Sequence, residues 1–179
     1  DYVTIASTGN TVDYGDLTVA REGLAQGCIS NGTRGIFCGG NSPTMINNIE
    51  FVTIMSTGNS TDFGDLVAVM SRQANCCSST RGLISGGQNP ATTNTIQFVT
   101  IATTGDSADF GDMTSERSNH GAASSPTRGL FVAGSNPSGN AVNVIDFVEI
   151  ATTGNAADFG DTDVAGMTNG IIRPTGTSS

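Results

Sequence analysis

The sequence predicts an all-β fold assembled from repeats, and three observations carry that expectation. The segment Phe51-Val52-Thr53-Ile54 returns at Phe98–Ile101, at Phe147–Ile150 and at Tyr2–Ile5, with spacings of 49, 47 and 49 residues between the leading aromatics. Each copy is followed by a Ser/Thr-Thr-Gly-Asn/Asp turn, a short spacer and Asp-Phe/Tyr-Gly-Asp. Only 13% of residues are charged and 6% aromatic while 24 are Gly, a composition that favours turns over large buried side chains. A period of roughly 40–50 residues with strand-like content points to propeller blades or a related array.

Residues 117 to 162 define the unit. Arg117 opens a first strand through Gly121 and Ala122 to a turn at Ser124-Ser125-Pro126-Thr127. A second strand, Gly129 to Gly134, leads into a polar loop at 135–140 whose Ser, Asn, Pro and Gly supply turn chemistry. The third strand, Val142 to Thr152, is rich in Val, Ile and Phe. Thr153-Gly154-Asn155 then returns the chain into a fourth strand around Asp158-Phe159-Gly160-Asp161. The other copies read in the same order, with Arg21 and Arg72 aligned to Arg117, and short turns between strands predict an antiparallel meander.

The chain therefore reads as a single repeat domain over 1–179, with four-strand units at 20–66, 71–113 and 116–162. Residues 1–18 supply the last two strands of another unit, and 163–179 a closing strand or tail. That division predicts a four-blade ring with one blade split across the termini, which would remove free sheet edges. A fragment of a larger ring and protomers that complete one another are the alternatives. Asp1 opens the chain in mid-repeat without an initiator Met, which predicts a piece of something longer.

An Arg, a small-residue strand, and an apolar strand ending in Gly39-Gly40 or Gly86-Gly87 resemble a kelch repeat. So do the aromatic third strand and the single aromatic of the fourth, where Phe or Tyr takes the place usually held by Trp. The third copy departs from the pattern, with Ala133-Gly134 in place of the Gly pair. The repeated wording is also similar to that of repetitive proteins of phages and environmental bacteria. The resemblance implies a kelch-like propeller of four-stranded blades, virion-borne or extracellular, that attaches to proteins or host-surface glycans.

Net charge is -9 with seven Arg and no Lys, which argues against nucleic acid as a partner because phosphate binding needs a basic surface. No run approaches 18 apolar residues, so no membrane-inserted helix is expected. One His and two Tyr do not suffice for copper-oxidase chemistry of the kind some kelch proteins carry, and His120 has no nucleophile or acid recurring beside it. No cofactor is expected, and the reading is non-enzymatic.

Four groups of residues remain as candidates. The turns Thr33-Arg34, Thr80-Arg81 and Thr127-Arg128 recur at equivalent places, and each Arg fork suits a carboxylate, an acidic sugar or an aromatic face. They are the candidate ligand- or partner-facing residues, with pairing to an Asp of the same or a neighbouring blade as the alternative. Asn155, Asp158 and Asp161 are hard oxygen donors of the kind Ca²⁺ takes, or else turn residues of the rim. Cys28 and Cys38 flank a predicted hairpin and could face each other as a disulfide, while Cys76 and Cys77 are adjacent in a strand. All four also suit small buried positions. Asn31-Gly32-Thr33 and Asn59-Ser60-Thr61 are glycosylation sequons. The partners implied are proteins, through self-assembly or other virion and surface subunits, and a carbohydrate-binding propeller with one weak site per blade is the second reading.

Overall fold

The computed structural model describes residues 1–25 and 27–163. Among them the chain forms strands only: β1(Ile29–Ser30), β2(Arg34–Cys38), β3(Asn48–Thr53), β4(Thr61–Asp65), β5(Ala74–Cys77), β6(Arg81–Ser85), β7(Gln88–Asn89), β8(Ala91–Thr92), β9(Thr95–Thr100), β10(Ala108–Asp112), β11(Gly121–Ser124), β12(Arg128–Val132), β13(Val144–Glu149) and β14(Ala157–Asp161). They build three four-stranded antiparallel sheets, β1-β2-β3-β4, β5-β6-β9-β10 and β11-β12-β13-β14, with β7-β8 as a small separate hairpin.

The antiparallel four-stranded meander thus follows the expected strand order. The described sheets do not close into a ring, and residues 1–18 contribute only the paired positions Tyr2 and Val12 rather than two full strands. The closing segment expected beyond Asp163 lies outside the described residues. The hairpin β7-β8 is an addition of the second unit, where the first and third have loops held by single bridges at Asn41–Met45 and Ser135–Ala141.

Asp-Phe-Gly-Asp is a β-bulge. In β4, Asp62 pairs with Glu50 and Gly64 with Ile49, so Phe63 is the extra residue; Phe110 and Phe159 stand at the same slip in β10 and β14. A bulge bends its strand and re-aims one side chain. Here the re-aimed ring meets the aromatic of the third strand edge-on, Phe51–Phe63 at 6.0 Å and Phe98–Phe110 at 6.1 Å.

The sheets pack face to face, so the middle sheet of the three is covered on both faces and its first two strands lose the alternation of a one-sided sheet. All four residues of β5 are buried. One core lies between the first and second sheets, with Ile29, Ile36, Phe63, Ile84, Val99 and Ile101; a second lies between the second and third, with Leu83, Ile96, Phe110, Phe131, Val148 and Ile150.

The unit also buries an ion pair. Arg21 meets Glu50 and Arg117 meets Asp146, every side chain at 1% exposure or less. Register corrects the alignment of the arginines here. Glu22, Ser71 and Ser118 form the equivalent bridges, which makes Met70, not Arg72, the counterpart of Arg21 and Arg117. Gln97 occupies the acid's place in that sheet, so both members of the pair are replaced together. Arg72 instead is exposed at φ 58°, matching Gly23 at 65° and Asn119 at 53°.

Candidate functional site

The repeated polar residues converge on the junctions between successive units. At each junction the N–H of the turn glycine donates to the carbonyl of the aromatic in the preceding Asp-Phe/Tyr-Gly-Asp segment: Gly58 to Tyr14, Gly105 to Phe63 and Gly154 to Phe110, each at 2.7 Å. The turn's Asn or Asp accepts in return. Asn59 Oδ1 takes the N–H of Asp16 at 3.0 Å, Asp106 Oδ1 that of Asp65 at 2.9 Å, and Asn155 Oδ1 that of Asp112 at 3.1 Å. Further bonds run from the N–H groups of Ser60, Ser107 and Ala156 to the carbonyls of Asp16, Asp65 and Asp112. The Thr-Gly-Asn and Asp-Phe-Gly-Asp motifs are therefore two halves of one contact, about 43 residues apart in sequence.

The buried acids extend this stitching. Glu50 Oε2, Gln97 Oε1 and Asp146 Oδ2 accept the N–H groups of Thr18, Val67 and Thr114, at 2.8, 2.9 and 3.0 Å. A neutral Gln does this as well as a carboxylate, which explains why the second unit dispenses with its Arg. Burial pulls the Glu50 carboxyl upward, but hydrogen bonds from Ser60 and Thr18 and the Arg21 charge outweigh it and leave the group below its ordinary value.

Arg34 and Arg81 belong to the same junctions. The Arg34 guanidinium lies 4.6 Å from the Phe51 ring centre and donates to the Ile101 carbonyl at 3.1 Å; Arg81 lies 4.4 Å from the Phe98 ring and donates to the Ile150 carbonyl at 2.9 Å. Each ties its own sheet to the next through a cation–π contact and a backbone acceptor. Arg128 sits over Phe147 at 5.1 Å but is exposed, and its Nε pairs with Glu149 at 2.6 Å. None of the three pairs with an Asp in these contacts.

The threonines beside them are exposed on tight turns. Asn31 Oδ1, Ser78 Oγ and Ser125 Oγ each accept from the two N–H groups that follow, those of Thr33 and Arg34, Thr80 and Arg81, and Thr127 and Arg128. The turns thus present Thr33, Thr80 and Thr127 at matching places in three sheets.

His120 is enclosed in the third unit. Ser85 Oγ donates to the Ala74 carbonyl, so His120 Nε2, 2.9 Å away, is the donor to Ser85 and Nδ1 is left as an unpaired acceptor. Burial, with the Arg117 charge nearby, pulls its pKa down to about 3, so the ring is neutral.

All four cysteines are free. Ile29 pairs with Ile36, and that register carried back one residue sets Cys28 opposite Phe37 rather than Cys38. Cys28 is exposed and Cys38 buried, and burial pushes the Cys38 thiol up to about 12. Among the described residues no group of three or more His, Cys, Asp or Glu could hold a metal ion, and Asn155 is engaged at its junction. A hollow of about 370 Å³ lies beside the first sheet, lined by Tyr14, Leu17, Leu24, Phe37, Val52 and Ile54 among others.

The sequence showed which residues repeat but not where they meet. The junction role of Asn59, Asp106 and Asn155 was missed, although their recurrence with the bulge motif at fixed spacing was the available signal. The Glu50/Gln97/Asp146 position was missed too, because its residue type changes between copies.

No family model matches the chain, and no curated protein matches it in sequence. In structure it is similar to YjhT, with a TM-score of 0.68 at 8% identity, over 85% of this chain and 54% of that one. The chain thus spans about half the length of YjhT, and at this identity the likeness is one of fold.

Proposed function

We propose that this chain is a non-enzymatic structural and attachment module whose sheets are blades of a kelch-like β-propeller. The observation that carries the reading is the row of like-built, exposed turns at Thr33, Thr80 and Thr127 on a scaffold whose other repeated polar groups bind successive units together. Equivalent hydroxyl-bearing turns in three sheets suit a repetitive partner, with avidity from several weak contacts. The partner is a protein of a virion or extracellular surface, and the setting a phage appendage or extracellular assembly. A carbohydrate-binding propeller with one site per blade is the second reading, and the same three turns favour it.

The test is binding of the intact chain to a glycan panel and to immobilised surface-protein preparations, alongside a Thr33→Ala/Thr80→Ala/Thr127→Ala variant. Binding that the triple variant loses at least tenfold supports the module, and the ligand class decides between the two partners. Binding that the variant retains in full, or no binding to either class, overturns it.

A further inference from the structure

The two end faces of the described array are the separated halves of the junction that its interior makes repeatedly. Inside the array, bulged Phe63 packs into one core with Val99 and Ile101 of the next unit, and Phe110 into another with Val148 and Ile150. At one end Phe159 holds that bulged position but is 56% exposed, against 2% for Phe63 and Phe110. At the other end Val3 and Ile5 hold the receiving positions and are 53% and 98% exposed, while Val99, Ile101, Val148 and Ile150 are at 4% or less.

The polar half of the contact is split the same way. Gly111 lies against the Gly154 carbonyl of the next unit, whereas a Cβ on Gly160 would meet nothing within 4 Å. Thr8-Gly9-Asn10-Thr11 repeats the receiving turn Thr57-Gly58-Asn59-Ser60 and is exposed, where Ser60 is buried. Arg128, whose counterparts Arg34 and Arg81 reach the Ile101 and Ile150 carbonyls, is exposed over Phe147.

We propose that these faces dock head to tail between two copies of this chain: Phe159, Gly160 and Arg128 of one copy receive Val3, Ile5 and the Thr8–Thr11 turn of the other. The occupant is a second copy because its own residues carry every element of the internal junction: the turn glycine, the Asn acceptor, the apolar pair and an isoleucine carbonyl for the arginine. Such a heterologous contact propagates into a ring if the rotation closes and a filament if it does not. It does not depend on the turn-borne attachment proposed above.

Two charge-bearing variants on exposed positions test this, Phe159→Glu and Ile5→Glu, with circular dichroism to check that each keeps its strand signal. Light scattering over a concentration series of the unaltered chain should show a mass rising above 18.2 kDa in whole multiples. Each variant alone should stay at the chain mass. Mixed in equal amounts they retain one competent junction and should form a one-to-one pair of twice that mass. A chain that stays at 18.2 kDa at every concentration overturns the proposal, whether its ends close on each other or remain free. So does a mixture of folded variants that never pairs, or a variant that assembles as the unaltered chain does.

Discussion

Gly111 and Gly154 touch backbone to backbone: a Cβ on Gly111 would sit 2.4 Å from the Gly154 carbonyl oxygen. The same approach joins Gly64 to Gly105, where the distance would be 2.5 Å. It lets the turn of one unit seat directly on the bulge of another.

Gly111→Ala should therefore destabilise the chain more than Gly160→Ala. The backbone at both is left-handed, with φ of 144° and 134°, so both substitutions carry conformational strain. Only Gly111 also faces a neighbouring carbonyl. Urea unfolding of both variants in the Ile5→Glu background should separate them by about 2 kcal/mol. Equal losses would mean that the junction yields without cost.

The Arg117–Asp146 pair should be expensive to break and inexpensive to replace. Asp146→Ala strands a buried guanidinium and should cost ~3–5 kcal/mol, as a lost partner in a buried pair does. The double change Arg117→Met/Asp146→Gln copies the second unit, where Met70 and Gln97 hold these positions. It should recover all but about 1 kcal/mol of that loss in denaturant unfolding. A double variant no better than the single would show that the local packing differs between units.

His120 should make the fold sensitive to mild acid. Its folded pKa of about 3 lies below the roughly 6.5 of an unfolded histidine, so between those values the unfolded chain takes up a proton that the folded chain refuses. This contribution is fully present above pH 6.5 and is lost progressively as pH falls toward 3, with roughly 2 kcal/mol gone by pH 5. His120→Gln, which installs the residue found at the equivalent Gln73, should flatten the decline between pH 7 and pH 5 in urea melts. An unchanged slope would place the ring in contact with water.

Asn155→Ala removes the acceptor for the Asp112 N–H and should cost about 1 kcal/mol. Asn155→Asp should be tolerated, because Asp106 already serves at the preceding junction. Thermal melts of both, with and without millimolar Ca²⁺, check the assignment. A calcium-dependent rise in the unaltered chain that Asn155→Ala abolishes would make the turn a metal site instead.

The architecture was legible because the strands are written in recurring words. Phe51-Val52-Thr53-Ile54 and its copies mark the third strands, and the turn residues mark their ends. What lay between sheets was not. Asn59 and Asp16 are 43 residues apart, and no local rule says that an Asn in one turn will accept from a backbone N–H in the preceding unit. Arg72 misled because residue type was matched ahead of register, and the bridge at Ser71 restores the frame by two positions, to Met70. The departure at Ala133 left the backbone unaltered: Ala133 takes φ 58°, as Gly39 does, despite its Cβ. The expected ring had no signal beyond the count of units, since closure depends on how the end faces meet.

The bulge-to-turn part of each junction is made from main-chain atoms, glycines and one short amide or carboxylate, and that part recognises the shape of its neighbour rather than its side chains. Duplicating or deleting a whole unit would leave a matching bulge and turn on either side of the splice, with no interface to re-invent. The length of such an array can therefore change by whole units while the bulge-to-turn contact stays the same.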